Sequence, residues 1–114
     1  MGLKMYKRGD IVLVNLNLQK NNEAGKIRPC VVISETDVNE ILDLISIIPC
    51  TTDILGEGLF RISLNPREKL DKECEAMIEQ IRGVSKTRVI ESLSCVTNDE
   101  ICKIELGVKA LLGV

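Results

Sequence analysis

The side chains that this sequence offers for chemistry are limited by what it lacks. Histidine is absent, which excludes Ser-His nucleophiles, histidine acid–base catalysis and histidine metal ligands. Arginine, threonine and carboxylates remain. This set suits RNA cleavage, because the nucleophile is then the 2′-hydroxyl of the substrate, and an enzyme has only to align it and neutralise the phosphorane. Such a reaction requires no metal, cofactor or covalent enzyme intermediate.

The cysteines support no alternative chemistry. Five are present, and none are spaced as CxxC, so a zinc or redox site is not expected. Their apolar surroundings predict reduced core residues in a cytoplasmic protein. No apolar run is long enough for a signal peptide or membrane span.

A single domain over residues 1–114 is expected from the length, and the apolar and charged fractions of 45% and 28% are typical of a globular chain. From Asp10, "DIVLVNLNL" alternates as a half-buried strand does, up to Leu18. A second strand is predicted to start at Arg28. A third is predicted from Ile41, after a turn-like "ETDVNE", and to stop at Pro49 before a loop with two threonines.

Three further strands and a helix complete the prediction. Alternation in "LFRISLN" and "AMIEQIRGV" indicates two strands, the second with Gln80 and Arg82 on one face, and "IESLSCV" indicates a short third. Thr97 and Glu100 form a capping-box pattern before a helix with apolar residues at helical spacing. The predicted fold is therefore mainly β with a carboxy-terminal amphipathic helix, as a small, strongly bent antiparallel sheet or SH3-like barrel.

Charge is unevenly distributed along a chain of net charge −2. Residues 1–30 carry six Lys or Arg against two acids, and residues 80–90 carry three cations and no acid, whereas residues 31–79 carry eleven acids against four cations. If the two basic segments adjoin in the fold, they form one positive groove that could hold a short RNA segment. Ordinary solvated surface charge is the alternative interpretation.

Five segments resemble the MazF/PemK family of toxins in their order and spacing. They are "RGDIVLVNL" from Arg8, "EAGKIRPCVVIS" from Glu23, "IIPCTT" from Ile47, "EQIRGVSKTRV" from Glu79, and the capped terminal helix. The resemblance spans nearly the whole chain. It implies a metal-independent endoribonuclease that cleaves single-stranded RNA and leaves a 2′,3′-cyclic phosphate and a 5′-hydroxyl.

The resemblance also implies catalytic residues. Arg28 matches the family arginine that contacts the scissile phosphate, and a planar guanidinium is well suited to gripping phosphate oxygens. Thr51 matches the threonine beside the same phosphate. The predicted RNA-binding residues are Glu23, Lys26, Thr52, Gln80 and Arg82. Glu23 would orient Arg28 or take up the 2′-proton, although a solvated loop acid is an equally good interpretation.

The family further implies a homodimer with RNA in a groove across it, and an antitoxin whose acidic, disordered tail blocks that groove. Two other functions stay open at this point. A related toxin family with the same barrel inhibits DNA gyrase, but it relies on an aromatic residue near its carboxy terminus, and this chain has no tryptophan. An inactive barrel retained as an RNA-binding module is the other.

Overall fold

The computed structural model of the protein describes residues 5–16 and 26–114. In these ranges the chain forms seven strands, two α-helices and two 3-10 turns. The strands are β1 (Asp10–Asn15), β2 (Ile27–Val32), β3 (Leu44–Thr51), β4 (Arg61–Leu64), β5 (Cys74–Met77), β6 (Arg82–Ser85) and β7 (Val89–Cys95). The helices are α1 (Thr36–Ile41) and α2 (Asn98–Leu112), and the 3-10 turns are Ile78–Gln80 and Lys86–Arg88. Neither helix within these ranges has the length and apolar content needed to cross a lipid bilayer.

All strand pairs are antiparallel, in the order β4-β5-β3-β2-β1-β7, with β6 also paired to β3. This confirms the predicted mainly β fold with a carboxy-terminal helix. No pairing in the described part of the chain joins β4 to β7, so the sheet is open rather than a closed barrel. β3 is the central strand, because β2 pairs with one of its edges while β6 and β5 share the other.

Both faces of the sheet are apolar, as the alternation in β1 illustrates. Ile11 packs into one buried cluster, which includes Ile104 of α2, whereas Val12 and Val14 pack into a second cluster on the opposite face. Successive strand residues point to opposite faces, so the sequence alternation predicted this strand correctly as far as Asn15. The predicted continuation to Leu18 lies outside the described residues.

The segment predicted as a turn after β2 is instead the short helix α1. Asn39 on this helix is buried, and its amide donates to the carbonyls of Tyr6 and Ser34 while its oxygen accepts from the Ser34 hydroxyl. The buried amide is thereby satisfied by Tyr6, which is distant in sequence, and by Ser34, which precedes the helix. The helix is held by these tertiary hydrogen bonds, which local sequence propensity does not reveal.

Pro49 does not end the third strand, as predicted, but lies within it. The Ile33 amide donates to Ser46, so even-numbered residues of β3 bond to β2 and odd-numbered ones face the other edge. On that edge β6 pairs with β3 up to Ile47, and β5 pairs from Cys50 onward. Pro49 falls in the interval between them, where a missing N–H breaks no ladder hydrogen bond.

The segment "AMIEQIRGV", predicted as one strand, is also different. It contains the end of β5, the 3-10 turn Ile78–Gln80 and the start of β6. The turn is fixed because Ile78 is fully buried and its amide donates to the Phe60 carbonyl at 3.0 Å. Period-two alternation therefore does not place Gln80 and Arg82 on one face of a strand, and that part of the prediction is wrong.

The terminal helix α2 begins where the sequence predicts. The Thr97 hydroxyl accepts from the Glu100 amide at 3.1 Å, and the Glu100 carboxylate accepts from the Thr97 amide at 2.8 Å, which completes the capping box. Ile104 is fully buried, but Leu111 and Leu112 on the predicted apolar face are 39% and 62% exposed. The end of the helix thus extends beyond the core of this chain.

Gly107 explains how closely α2 approaches the rest of the fold. A Cβ at this position would lie 2.5 Å from the Leu59 carbonyl oxygen and 3.2 Å from Ile78 Cγ1. A glycine inside a helix costs about 1 kcal/mol relative to alanine. Here that cost is offset because only glycine lets the helix pack directly against the backbone before β4.

We therefore expect Gly107→Ala to lower the free energy of unfolding by about 1–3 kcal/mol, because overpacking outweighs the gain in helix propensity. Urea unfolding measures the change. Ala110→Gly, at an exposed position of the same helix, is the control and should cost about 1 kcal/mol from propensity alone. A more stable Gly107→Ala protein would contradict the close packing.

A bidentate ion pair joins the β4–β5 connection to the start of α2. Arg67 Nη1 and Nη2 lie 2.6 and 2.8 Å from the two Glu100 carboxylate oxygens, and Nη1 also donates to the Cys95 carbonyl. Hydrogen bonding to Arg67 lowers the pKa of Glu100 more than partial burial raises it. The ionised carboxylate therefore stabilises the folded state.

Glu100→Gln should lower the free energy of unfolding at pH 7 by about 1–3 kcal/mol, because two hydrogen bonds to a charged group are weakened. In the wild-type chain this stabilisation is complete above the unfolded-state glutamate pKa of about 4.3 and is lost as the pH falls through the lower folded-state pKa. Denaturant titrations between pH 3 and 7 should therefore show a shallower acid dependence for the variant. Identical pH profiles would contradict this assignment.

Candidate functional site

The two predicted catalytic residues lie on neighbouring strands. Cys30 of β2 lies opposite Pro49 of β3, and continuing this register by two residues places Arg28 opposite Thr51. Both residues are inside their strands, and directly opposed residues of an antiparallel pair point to the same face, with Cβ atoms about 4.5–5.5 Å apart. The fold therefore brings the guanidinium and the hydroxyl together.

Pro29 has a specific effect on Arg28. Odd-numbered residues of β2 donate to β3, as Ile33 does to Ser46, so the Cys50 carbonyl would normally receive the amide hydrogen of residue 29. Proline has no amide hydrogen. Arg28 Nη1 donates to this carbonyl instead, at 3.4 Å. The arginine-proline step thus anchors one edge of the guanidinium to β3.

The rest of the Arg28 guanidinium makes no other hydrogen bond within residues 5–16 and 26–114, where its side chain is half-buried. A guanidinium carries five N–H donors in a planar fork. One of them is occupied by Cys50, so the others can bind the oxygens of a phosphate.

Thr51 is oriented by its own loop. Its side chain is only 8% exposed, and its hydroxyl oxygen accepts from the Asp53 amide at 3.1 Å. With that lone pair occupied, the hydroxyl hydrogen is left to donate, and it has no acceptor in the described part of the chain. Thr51 is therefore prepared to donate a hydrogen bond to a ligand beside Arg28.

A buried carboxylate that sequence analysis missed lies on the other side of Thr51. Glu75 of β5 is opposite Thr51 and is 1% exposed. Its oxygens accept from the Leu55 amide at 3.1 Å, the Gly56 amide at 2.9 Å and Arg61 Nη1 at 2.8 Å. No local sequence signal distinguishes Glu75 from a solvated strand residue, because its partners come from β4 and the β3–β4 loop.

Arg82 lies further along the same face. On β6 it lies opposite Ile47 of β3, four residues along that strand from Thr51. Its side chain is exposed and has no hydrogen-bond or ion-pair partner in the described ranges. The Cys30 thiol lies within the electrostatic influence of both arginines. Burial raises its pKa to about 12, while Arg82 and Arg28 act in the opposite direction. The two cations thus flank one region of the sheet.

The remaining predicted RNA-binding residues in the described ranges lie outside the strands. Lys26 is exposed immediately before β2, and Thr52 is exposed immediately after β3. Gln80 is exposed on the 3-10 turn between β5 and β6. Glu23 lies outside the described residues.

Several basic residues of the predicted positive groove are used elsewhere. Arg8 Nη2 donates to Glu105 of α2 at 2.7 Å, and Arg88 Nη1 donates to the Asn15 carbonyl at 3.4 Å. Fewer cations are therefore available to a ligand at the site than the composition of the two basic segments suggests. Among the described residues, no three Cys, Asp or Glu side chains are arranged to hold a metal ion.

The chain is similar to known proteins in both sequence and fold. A family model described as "PemK-like, MazF-like toxin of type II toxin-antitoxin system" matches residues 7–112. Endoribonuclease MazF9 of Mycobacterium tuberculosis is 28% identical, with 96% of this chain and 98% of that protein covered. Endoribonuclease MazF of Staphylococcus epidermidis is 26% identical, with 96% and 93% covered.

Solved structures show the same fold. A MazE–MazF crystal structure from Deinococcus radiodurans has a chain that superposes with a TM-score of 0.83 at 22% identity, over 98% of this chain and 99% of that one. A MazF crystal structure from the same organism gives a TM-score of 0.80 at 22% identity, over 98% and 100%.

The cysteines provide a check on the site. Cys30, Cys50 and Cys74 are buried, whereas Cys95 and Cys102 are exposed, and a thiol reacts as its thiolate. We expect a disulfide reagent at pH 8 to label Cys95 and Cys102 rapidly, and the other three after denaturation. Mass spectrometry of the labelled peptides identifies the sites. Rapid labelling of Cys30 in the native protein would contradict its burial between the two arginines.

Proposed function

Because the chain belongs to the PemK-like, MazF-like toxin family of type II toxin–antitoxin systems, we propose that it is an endoribonuclease toxin that cleaves single-stranded RNA at short sequences. Its curated relatives are named endoribonucleases. The observation that carries the proposal is the juxtaposition of Arg28 and Thr51 on β2 and β3, each with hydrogen-bond donors left for a phosphate.

The proposed reaction is an intramolecular transesterification. The 2′-oxygen attacks phosphorus, the bond from phosphorus to the 5′-oxygen breaks, and the products are a 2′,3′-cyclic phosphate and a 5′-hydroxyl. Arg28 neutralises the charge that develops on the phosphorane oxygens, and Thr51 donates to one of them. No metal ion takes part. Family resemblance assigns to Glu23 the role of orienting Arg28 or accepting the 2′-proton.

Binding of the RNA strand would extend from this phosphate. Arg82 would contact a neighbouring phosphate, and its exposure on the face that carries Arg28 supports this role. Lys26, Thr52 and Gln80 would contact the strand at its periphery. The only aromatic residues are Tyr6, which is buried, and Phe60, which is 38% exposed. Base recognition would therefore depend on hydrogen bonds more than on stacking.

We also propose a homodimer. The carboxy-terminal end of the chain exposes Leu106, Leu111, Leu112 and Val114 at 61%, 39%, 62% and 86%. Exposed apolar side chains of this kind favour burial against another protein surface, and a second copy would bury two such ends at once.

The proposed inhibitor is an antitoxin with an acidic, disordered tail. Solved relatives include MazE–MazF complexes, and an acidic segment would complement the charges of Arg28 and Arg82. We place the protein in the cytoplasm, where messenger RNA is the substrate. Its five unpaired cysteines fit a reducing compartment.

The test is cleavage of a single-stranded RNA library in EDTA without antitoxin. The wild-type chain should yield 2′,3′-cyclic phosphate ends, and Arg28→Ala and Thr51→Ala should each reduce the rate by about 10²–10³-fold, because each removes a donor to the phosphorane. Arg8→Ala is the matched control, since Arg8 bonds to Glu105 of α2. Intact RNA after wild-type treatment, or an Arg28→Ala rate equal to that of the wild type, would refute the proposal.

A further inference from the structure

We infer that Glu75, together with Arg61, is a positioning residue for Thr51: it fixes the loop whose Asp53 amide orients the Thr51 hydroxyl toward the scissile phosphate. This inference rests on the proposed ribonuclease function. We call the arrangement the Glu75 clamp, which comprises Glu75, Arg61 and the backbone of residues 53–56.

The clamp accounts for most of the loop's backbone hydrogen bonds. Glu75 accepts from the Leu55 and Gly56 amides, and Arg61 Nη1 donates to the Asp53 carbonyl at 3.1 Å as well as to Glu75. The Asp53 amide donates to Thr51. Two side chains from β4 and β5 therefore hold both ends of the segment that determines the Thr51 hydrogen bond.

The loop conformation also requires Gly56. Its φ of +117° lies in the region that favours glycine, although a Cβ there would meet nothing within 4 Å. The constraint is thus conformational and not steric. This backbone conformation directs the amides of Leu55 and Gly56 toward the buried Glu75 carboxylate. The exposed side chains of the loop do not impose this conformation.

A carboxylate fits this role better than an amide. Its two oxygens accept three N–H groups and offer no donor, whereas glutamine would turn an NH₂ group toward an N–H donor. Burial raises the pKa of Glu75, but hydrogen bonds from Arg61, Leu55 and Gly56 outweigh that effect and leave the pKa below its ordinary value. The ionised form therefore predominates at neutral pH.

Arg61 offsets the negative charge that Glu75 brings to the clamp. Glu75 lies opposite Thr51, in the same row of the sheet as Arg28, so its unpaired charge would repel the phosphate that the site must bind. The Arg61 guanidinium, 20% exposed and 2.8 Å away, neutralises it. The pair thereby positions the loop without opposing the substrate.

The experiment is a double-mutant cycle between Glu75→Gln and Thr51→Ala, followed by single-turnover cleavage of a defined RNA oligonucleotide. Glu75→Gln should lower the cleavage rate constant about 10- to 100-fold and change the half-saturating protein concentration less than about threefold, because orientation is lost while the phosphate contacts remain. In the Thr51→Ala background, Glu75→Gln should add less than about a twofold loss. Equal losses in both backgrounds would overturn the inference.

Glu100→Gln is the matched control. Glu100 also makes a partly buried ion pair with an arginine, but it lies at the start of α2 and touches no part of the loop. It should lower stability while leaving the rate constant of the folded protein within about twofold of the wild type. A loss of rate comparable to that of Glu75→Gln would indicate general destabilisation and overturn the positioning role.

Amide hydrogen exchange gives a readout that does not depend on ribonuclease activity. In Glu75→Gln, the amides of Asp53, Leu55 and Gly56 should exchange at least about tenfold faster than in the wild type, while those of β1 and β2 keep their rates. If Glu75→Gln fails to fold, Arg61→Lys takes its place, because it keeps the charge but loses the planar fork. Unchanged exchange at the three loop amides would overturn the clamp.

The two proposals fail in different ways. A wild-type chain that leaves RNA intact refutes the ribonuclease function, and the exchange data then still decide whether the clamp exists. Cleavage by the wild type with full activity in Glu75→Gln refutes the positioning role and leaves the ribonuclease function standing.

Discussion

The candidate site depends on a missing hydrogen bond in the β2–β3 ladder. Pro29 cannot donate to the Cys50 carbonyl, so the Arg28 guanidinium occupies that acceptor. The neighbouring residue on β3 is Thr51, whose hydroxyl is fixed by the Asp53 amide. The missing amide hydrogen in β2 thus anchors the Arg28 guanidinium on β3, next to the residue that carries the hydroxyl. This is the structural consequence of the proline that follows the arginine.

The central position of β3 makes this arrangement possible. One edge pairs with β2 from Ile47 to Pro49, while the other edge pairs with β6 before Pro49 and with β5 after it. β6 brings Arg82 to the face that carries Arg28, and β5 brings Glu75 beside Thr51. A single strand therefore connects the face that carries Arg28 and Arg82 to Glu75, which bonds to the loop after Thr51. The helix α2 covers the opposite face, where Gly107 approaches the Leu59 carbonyl.

Sequence patterns predicted the elements whose signals are local. Alternation identified β1 and β4, and the capping box identified the start of α2, because these depend on neighbouring residues. The patterns failed where contacts outside the local segment determine its structure. The helix α1 depends on the hydrogen bonds from Asn39 to Tyr6 and Ser34. The break in the strand before Arg82 depends on the burial of Ile78. Family resemblance supplied Arg28 and Thr51, whereas Glu75 was invisible, since its partners come from two other parts of the chain.

The charge distribution of the fold shows why an acidic protein can present a positive site. Arg8, Arg61 and Arg67 pair with carboxylates, and Arg88 bonds to a backbone carbonyl. The carboxylates offset the charges of Arg8, Arg61 and Arg67, so these three arginines contribute little net positive field. Arg28 and Arg82 differ because, within the described residues, no carboxylate lies within ion-pair distance of either. Glu75, which shares the Arg28 row of the sheet, is paired with Arg61, so among the described residues this buried ion pair on β4 and β5 keeps the Glu75 carboxylate from opposing the charge of Arg28.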